Sequence, residues 1–197
     1  LVMTGDNTYR GGTTVEQGSL YGFTESFGTA DVNVNGGTIS VLNRYNDKFT
    51  QKGQLVSNES HKANININDK GTYLVTAGHD VNVGNMTLNQ GAKLDVAADN
   101  IGQLKDVYLN DKSIQGTVNA DNLADNRAKT KMLATNANNA AADDYALFQK
   151  DVSVKDNTIT GTLSKKADAS FASFANNENG RSIANSLESN AKGQLFY

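Results

Sequence analysis

No cysteine and no proline occur anywhere in the 197 residues. The first absence excludes disulfides, thiolate metal sites and cysteine nucleophiles together. The second leaves the turns to Asn and Gly, which tolerate the left-handed conformations that tight turns use. Aromatic residues make up 7% and hydrophobic residues 38%, lean for a compact enzyme yet above a disordered composition. No stretch approaches 18 apolar residues, so no segment reads as a membrane-spanning helix, and no charged-then-apolar signal opens the chain. Leu1 starts in mid-pattern, which leads to the expectation that the sequence is a piece of something longer. The net charge is −3 with both signs interspersed, which argues against a nucleic-acid groove or a polybasic membrane surface.

What is present is Asn, 26 of them, together with 18 Gly and many Thr and Ser. The glycines set a repeat. EQGSLY (16–21), NGGTIS (35–40), QKGQLV (51–56), DKGTYL (69–74) and NQGAKL (89–94) align on Gly18, Gly37, Gly53, Gly71 and Gly91. Short alternating strands, TTV (13–15), VNV (32–34), INI (65–67) and MTL (86–88), precede four of them. Each unit reads strand, polar turn, Gly, strand, and alternation gives each strand one buried face. A unit of this length cannot close a core alone, whereas stacked units share a continuous interior, as in a β-solenoid. Asn at equivalent corners can then bond from layer to layer in ladders. An antiparallel sandwich is the alternative, but it favours Asn-Gly or Asp-Gly hairpins, and Asn35-Gly36 is the sole such pair before residue 100.

The pattern changes after about residue 97. DVYLNDKSIQGTV (106–118) matches DVSVKDNTITGTL (151–163) at an offset of 45 residues, and each predicts an antiparallel hairpin. Between them lies an Ala/Asn-rich insertion, 119–144, with helical composition from Ala124 to Leu133, while TNANNAAADD (135–144) reads as an exposed loop. Ile183 and Leu187 stand four apart, which predicts a short helix over about 180–190. The expected organisation is therefore layers over 1–97, a cap over 98–175 and a terminal linker helix over 176–197.

MTGDNTYRGGTTVEQGSL (3–20) closely resembles the short repeat of bacterial autotransporter passengers, with Met3 in place of the usual aliphatic residue. NNENGRSIANSLE (176–188) is similar to the segment leading from a passenger into the helix that threads the membrane pore, although Asn185 and Ser186 depart from its alanine-rich form. The opening repeat, with Tyr21-Gly22-Phe23, looks most like the subtilisin-like protease branch. The resemblance implies an all-β fold: a right-handed parallel β-helix with an antiparallel, hairpin-containing C-terminal cap and a short terminal helix. It also implies a non-catalytic stalk and folding-promoting (autochaperone) role in type V secretion. The partners it implies are the chain's own upstream passenger domain and a C-terminal outer-membrane barrel. Localisation would be secreted or on the cell surface, reached through the periplasm and outer membrane, and the lack of cysteine suits passage through a narrow pore. A surface adhesin, or a self-association module for host or neighbouring-cell ligands, is the second expectation; no nucleic-acid partner is expected.

Chemistry is hard to place. His61 and His79 are the two histidines, both in turn-like contexts that read as solvated, and neither adjoins a glycine-framed serine. Asp95, Asp99, Asp143 and Asp144 lack the spacing of a calcium loop. Tyr9, Tyr21, Tyr45 and Tyr73 could stack on sugars, but tyrosines on separate units more often serve a core. Departures from the repeat at 21–31 and 42–52 are where a binding loop would be inserted. No catalytic, cofactor-binding or metal-ligating residue is assigned.

Overall fold

Alternation with period two becomes strand wherever it was found in the described repeats. A computed structural model of the chain describes residues 1–43, 62–127, 147–166 and 177–183. Strands β1 (Val2–Met3), β3 (Ser19–Phe23), β5 (Thr38–Leu42), β7 (Thr72–Thr76) and β9 (Lys93–Ala97) form one sheet. A second sheet holds β2 (Thr13–Val15), β4 (Val32–Val34), β6 (Ile65–Ile67), β8 (Asp80–Leu88) and β10 (Ile114–Asp125), and ends with β12 (Thr158–Lys165) and β11 (Phe148–Lys155). From β1 to β10 the chain visits the two sheets by turns, and every strand pairs in parallel with the one two before it. The architecture is all-β.

Register carries the packing. Val15, Val34, Ile67 and Leu88 lie opposite one another in successive strands of the second sheet, and all are buried. Leu20, Ile39, Tyr73 and Leu94 do the same in the first sheet. Each buried aliphatic side chain contributes about 1.5–3 kcal/mol relative to leaving it in water. Tyr73 brings a polar group into the buried column of the first sheet. Its hydroxyl accepts from the Val41 N–H at 3.2 Å, so its oxygen is not orphaned. Burial pushes the hydroxyl well above its usual pKa range, and the bond from Val41 pulls it partly back.

Directly after β4, β6, β8 and β10 stands an asparagine, and these form a ladder that ends on Glu16, the residue after β2. Asn126 donates to Asn89, Asn89 to Asn68, Asn68 to Asn35 and Asn35 to Glu16, at 3.3, 2.8, 2.8 and 3.0 Å. The expected layer-to-layer bonding is therefore present. The expected left-handed Asn turns are not: among the described residues positive φ falls on glycines and on Lys70, Asp111 and Asp156. Gly18 and Gly91 supply positive φ at their corners, as expected. Gly71 serves differently. Lys70 takes the left-handed conformation there, and a Cβ on Gly71 would strike the Val34 carbonyl of the previous layer.

Several expectations need correction. QKGQLV (51–56), with Tyr45 and His61, lies outside the described residues, yet β4 pairs directly with β6 and β5 with β7. The ladder thus passes from the second to the fourth aligned segment without an intervening layer. The segment 106–118 is not a hairpin: helix α1 (Ile101–Asn110) is followed by β10. Nor does layering stop near residue 97, since β10 pairs in parallel with β8 as far as Asp125 and Asn126 joins the ladder. Residues 119–125, expected to belong to the Ala/Asn-rich insertion, are strand and pair along β8 as far as Asp125. The second hairpin is observed, with β11 and β12 antiparallel around Asp156-Asn157. Residues 178–183 are helical, and Asn177 caps them by accepting from the Gly180 N–H at 2.7 Å; Leu187 lies outside the described residues.

Asn68 makes two ladder bonds, so Asn68→Ala is expected to cost about 1–3 kcal/mol in urea unfolding, the toll of two lost bonds and a stranded partner. Asn82→Ala, on an exposed position of β8 outside the ladder, is the control and should stay within about 0.5 kcal/mol.

Candidate functional site: the closed end and the outer trough

The hairpin covers one end of the space between the sheets. β12 pairs antiparallel with β10, and β11 and β12 also pack against β9 of the other sheet. Val152, Ile159 and Leu163 enter the same core as Val75 and Val96. The two glycines that the 45-residue offset had matched face each other in this pair, Gly116 opposite Gly161. A Cβ on Gly161 would stand 2.8 Å from Val96 and 2.9 Å from Val75, and one on Gly116 would strike the Thr76 carbonyl. Absence of side chains at this crossing lets the hairpin close onto both sheets.

Helix α1 braces the hairpin from outside. Asn100 caps it by accepting from the Gln103 N–H at 3.0 Å, while Gln103 accepts from the Asp99 N–H and donates to the Ala77 carbonyl. Tyr108 meets Phe148 edge-on with ring centres 6.4 Å apart, and the Lys165 ammonium sits 4.6 Å from the centre of the Tyr108 ring. Lys150 on β11 pairs with Asp95 on β9 at 2.9 Å, tying hairpin to first sheet. Asn157 in the hairpin turn holds β10 twice, through its backbone carbonyl to Ala120 N–H and its side-chain oxygen to Leu123 N–H.

The histidine reading changes. His79, expected to be solvated, is only 6% exposed. Its Nδ1 accepts from the Asn43 N–H at 2.9 Å, and its backbone carbonyl accepts from Thr117. Nε2 stands 3.3 Å from Asp99 Oδ2, but the bond direction is poor and the nitrogen has no hydrogen-bond partner among the described residues. The turn is buried because Asn43, α1 and β10 converge on it, which no local sequence signal reports. Among the described residues no hydroxyl approaches either ring nitrogen, so no nucleophile–base pair is assembled there. Asp95 and Asp99 are separated by different tasks, one on Lys150 and the other facing His79, and Asp143 and Asp144 lie outside the described residues. No group of three or more potential metal ligands forms among the described residues.

The tyrosines divide. Tyr73 is core, and Tyr9 covers Gly28 while its hydroxyl meets Thr13 Oγ1 at 2.5 Å. Tyr21 is half-buried on the outer face of the first sheet. There it lines an open trough of about 480 Å³ with Ser19, Thr38, Thr72, Leu74, Asp95, Ala97 and Lys150.

Gly161→Ala is expected to unseat the hairpin at a cost of about 1–3 kcal/mol, from overpacking against Val75 and Val96. Hydrogen exchange should then accelerate in 148–165 and in β9 while β2 to β4 keep their protection. Comparisons with protein-family models, with curated proteins and with solved structures match nothing.

Proposed function

We propose that the chain is the C-terminal part of a bacterial autotransporter passenger: a right-handed parallel β-helix whose cap promotes folding of the layers before it. In this reading the segment is a non-catalytic stalk, secreted or held at the cell surface. It would support translocation and display of an upstream domain, such as a subtilisin-like protease, ahead of an outer-membrane barrel. The observation that carries it is the inequality of the two ends. One end is covered by the β11–β12 hairpin, braced by α1 and fixed by Lys150–Asp95. At the other, β1 and β2 are edge strands among the described residues, and Leu1 and Val2 are 81% and 61% exposed. An open parallel edge presents free N–H and C=O groups on which a further layer can form. A chain emerging cap-first would therefore supply a finished end and a growing one.

The outer trough favours a second reading, a surface binding module for host or neighbouring-cell ligands.

Two measurements test the folding role. Hydrogen exchange on the chain should show the slowest amides in 93–97, 114–125 and 148–165, with faster exchange toward β1; slowest exchange near the N-terminus would contradict it. In a parent chain carrying an upstream reporter, Gly161→Val should lower surface display several-fold, whereas Tyr21→Ala should leave display unchanged. Undiminished display with the glycine variant would remove the folding role.

A further inference from the structure

We propose that the outer trough of the first sheet binds a segment of neutral, β-linked linear glycan. The inference gives a ligand class to the binding-module reading and is independent of the folding role. Ser19, Thr38 and Thr72 lie opposite one another on β3, β5 and β7, so their hydroxyls form a column at strand spacing. None of the three, nor the Tyr21 hydroxyl, has a hydrogen-bond partner among the described residues, whereas Ser40 and Thr76 on the same strands bond to each other. The column is thus a set of unspent donors and acceptors in a concave surface, the arrangement that orients a polar ligand.

Beside the hydroxyls stand Tyr21 and Leu74, and Ala97 lies two residues beyond Asp95 on β9. A pyranose ring has the matching division, with C–H groups on its faces and hydroxyls at its rim, and Tyr21 offers a ring on which such a face stacks. At the far end Asp95 uses Oδ1 for Lys150 and for the Val96 N–H, which leaves Oδ2 to accept from a sugar hydroxyl. Lys150 neutralises the Asp95 carboxylate, Lys93 stands opposite Thr72 at the end of the hydroxyl column, and the chain as a whole carries −3. Polyanions and acidic lipid surfaces are disfavoured by the net negative charge of the chain. The trough crosses the face of β3, β5 and β7, whose backbone groups are used in strand pairing, and reaches β9 at the edge of the sheet. From β3 to β9 the trough spans three strand spacings, about 14 Å, and an extended β-linked glycan repeats at nearly the same interval as the strands.

The test titrates the full chain with neutral xylo-, cello- and chito-oligosaccharides of two to six units, with a heparin fragment as the anionic probe, by calorimetry and NMR. At least one neutral series should bind, with affinity rising to about four units, the length of the trough, and then levelling. Thr72→Val, which keeps shape and strand propensity, and Tyr21→Ala should each weaken binding about tenfold with unchanged melting temperature. Absence of binding by every neutral series, preference for the heparin fragment, or variants that bind as tightly as the unaltered chain would each overturn the proposal. Because Tyr21→Ala is expected to leave display intact, loss of glycan binding and loss of the folding role are read separately.

Discussion

Parallel pairing without slippage is the constraint on which the other features rest. Side chains in a strand alternate between faces, so a shift of one residue in any layer would turn Val34 or Ile67 to water and bring Asn33 or Asn66 into the core. Hydrophobic burial penalises that shift, but a two-residue slip would restore the faces. The asparagine ladder removes this second freedom. An Asn stands once per unit immediately after the strand, and its amide reaches its counterpart only when the layers are aligned end to end. Polar bonds at the corner and apolar columns inside thus specify the same alignment by different means, a consistency across levels that favours one native state.

That alignment reaches the closed end without loss. β10 belongs to the stack through β8 and Asn126, and to the cap through its antiparallel pair with β12. One strand therefore couples two kinds of pairing, and the change from parallel to antiparallel occurs across Gly116 and Gly161. Closure depends on what those two positions omit: side chains there would hold the hairpin away from Val75 and Val96. The ion pair, the aromatic contact and the Asn157 bonds fix the orientation of a lid that the glycines allow to seat.

Legibility in the sequence followed the range of the interaction. The four short strands before the turns and the strands after Gly18, Gly37, Gly71 and Gly91 were readable, because period two and a glycine punctuate every unit. The Asn ladder was readable from composition and position. The second half of helix α1 was misread as part of a hairpin because 106–118 matches 151–163, although two signals pointed to a helix: Asn100 followed three residues later by Gln103, and Leu104, Val107 and Tyr108 at helical spacing. The length of β10 was hidden by its polar composition, since Asn119 and Asn122 are held by pairing along β8 and not by apolar alternation. The burial of His79 and the trough were invisible for a further reason. Both are made by residues far apart in sequence, Asn43 with His79 and Asp99 in one case, Ser19 to Lys150 in the other.

The direct pairing of β5 with β7 has a consequence for how such a chain can grow. Asn43, where the chain leaves the ladder, is fastened to His79 and to the Asp80 carbonyl; Lys62, near its return, pairs with Asp121. Both anchors lie on neighbouring layers, so contacts outside 44–61 fix the pairing of β5 with β7. Closing a loop twice as long costs only about 0.6 kcal/mol more. The point between Asn43 and Lys62 is thus a place for grafting: a designer can lengthen or replace the sequence there while the surrounding strands keep their partners.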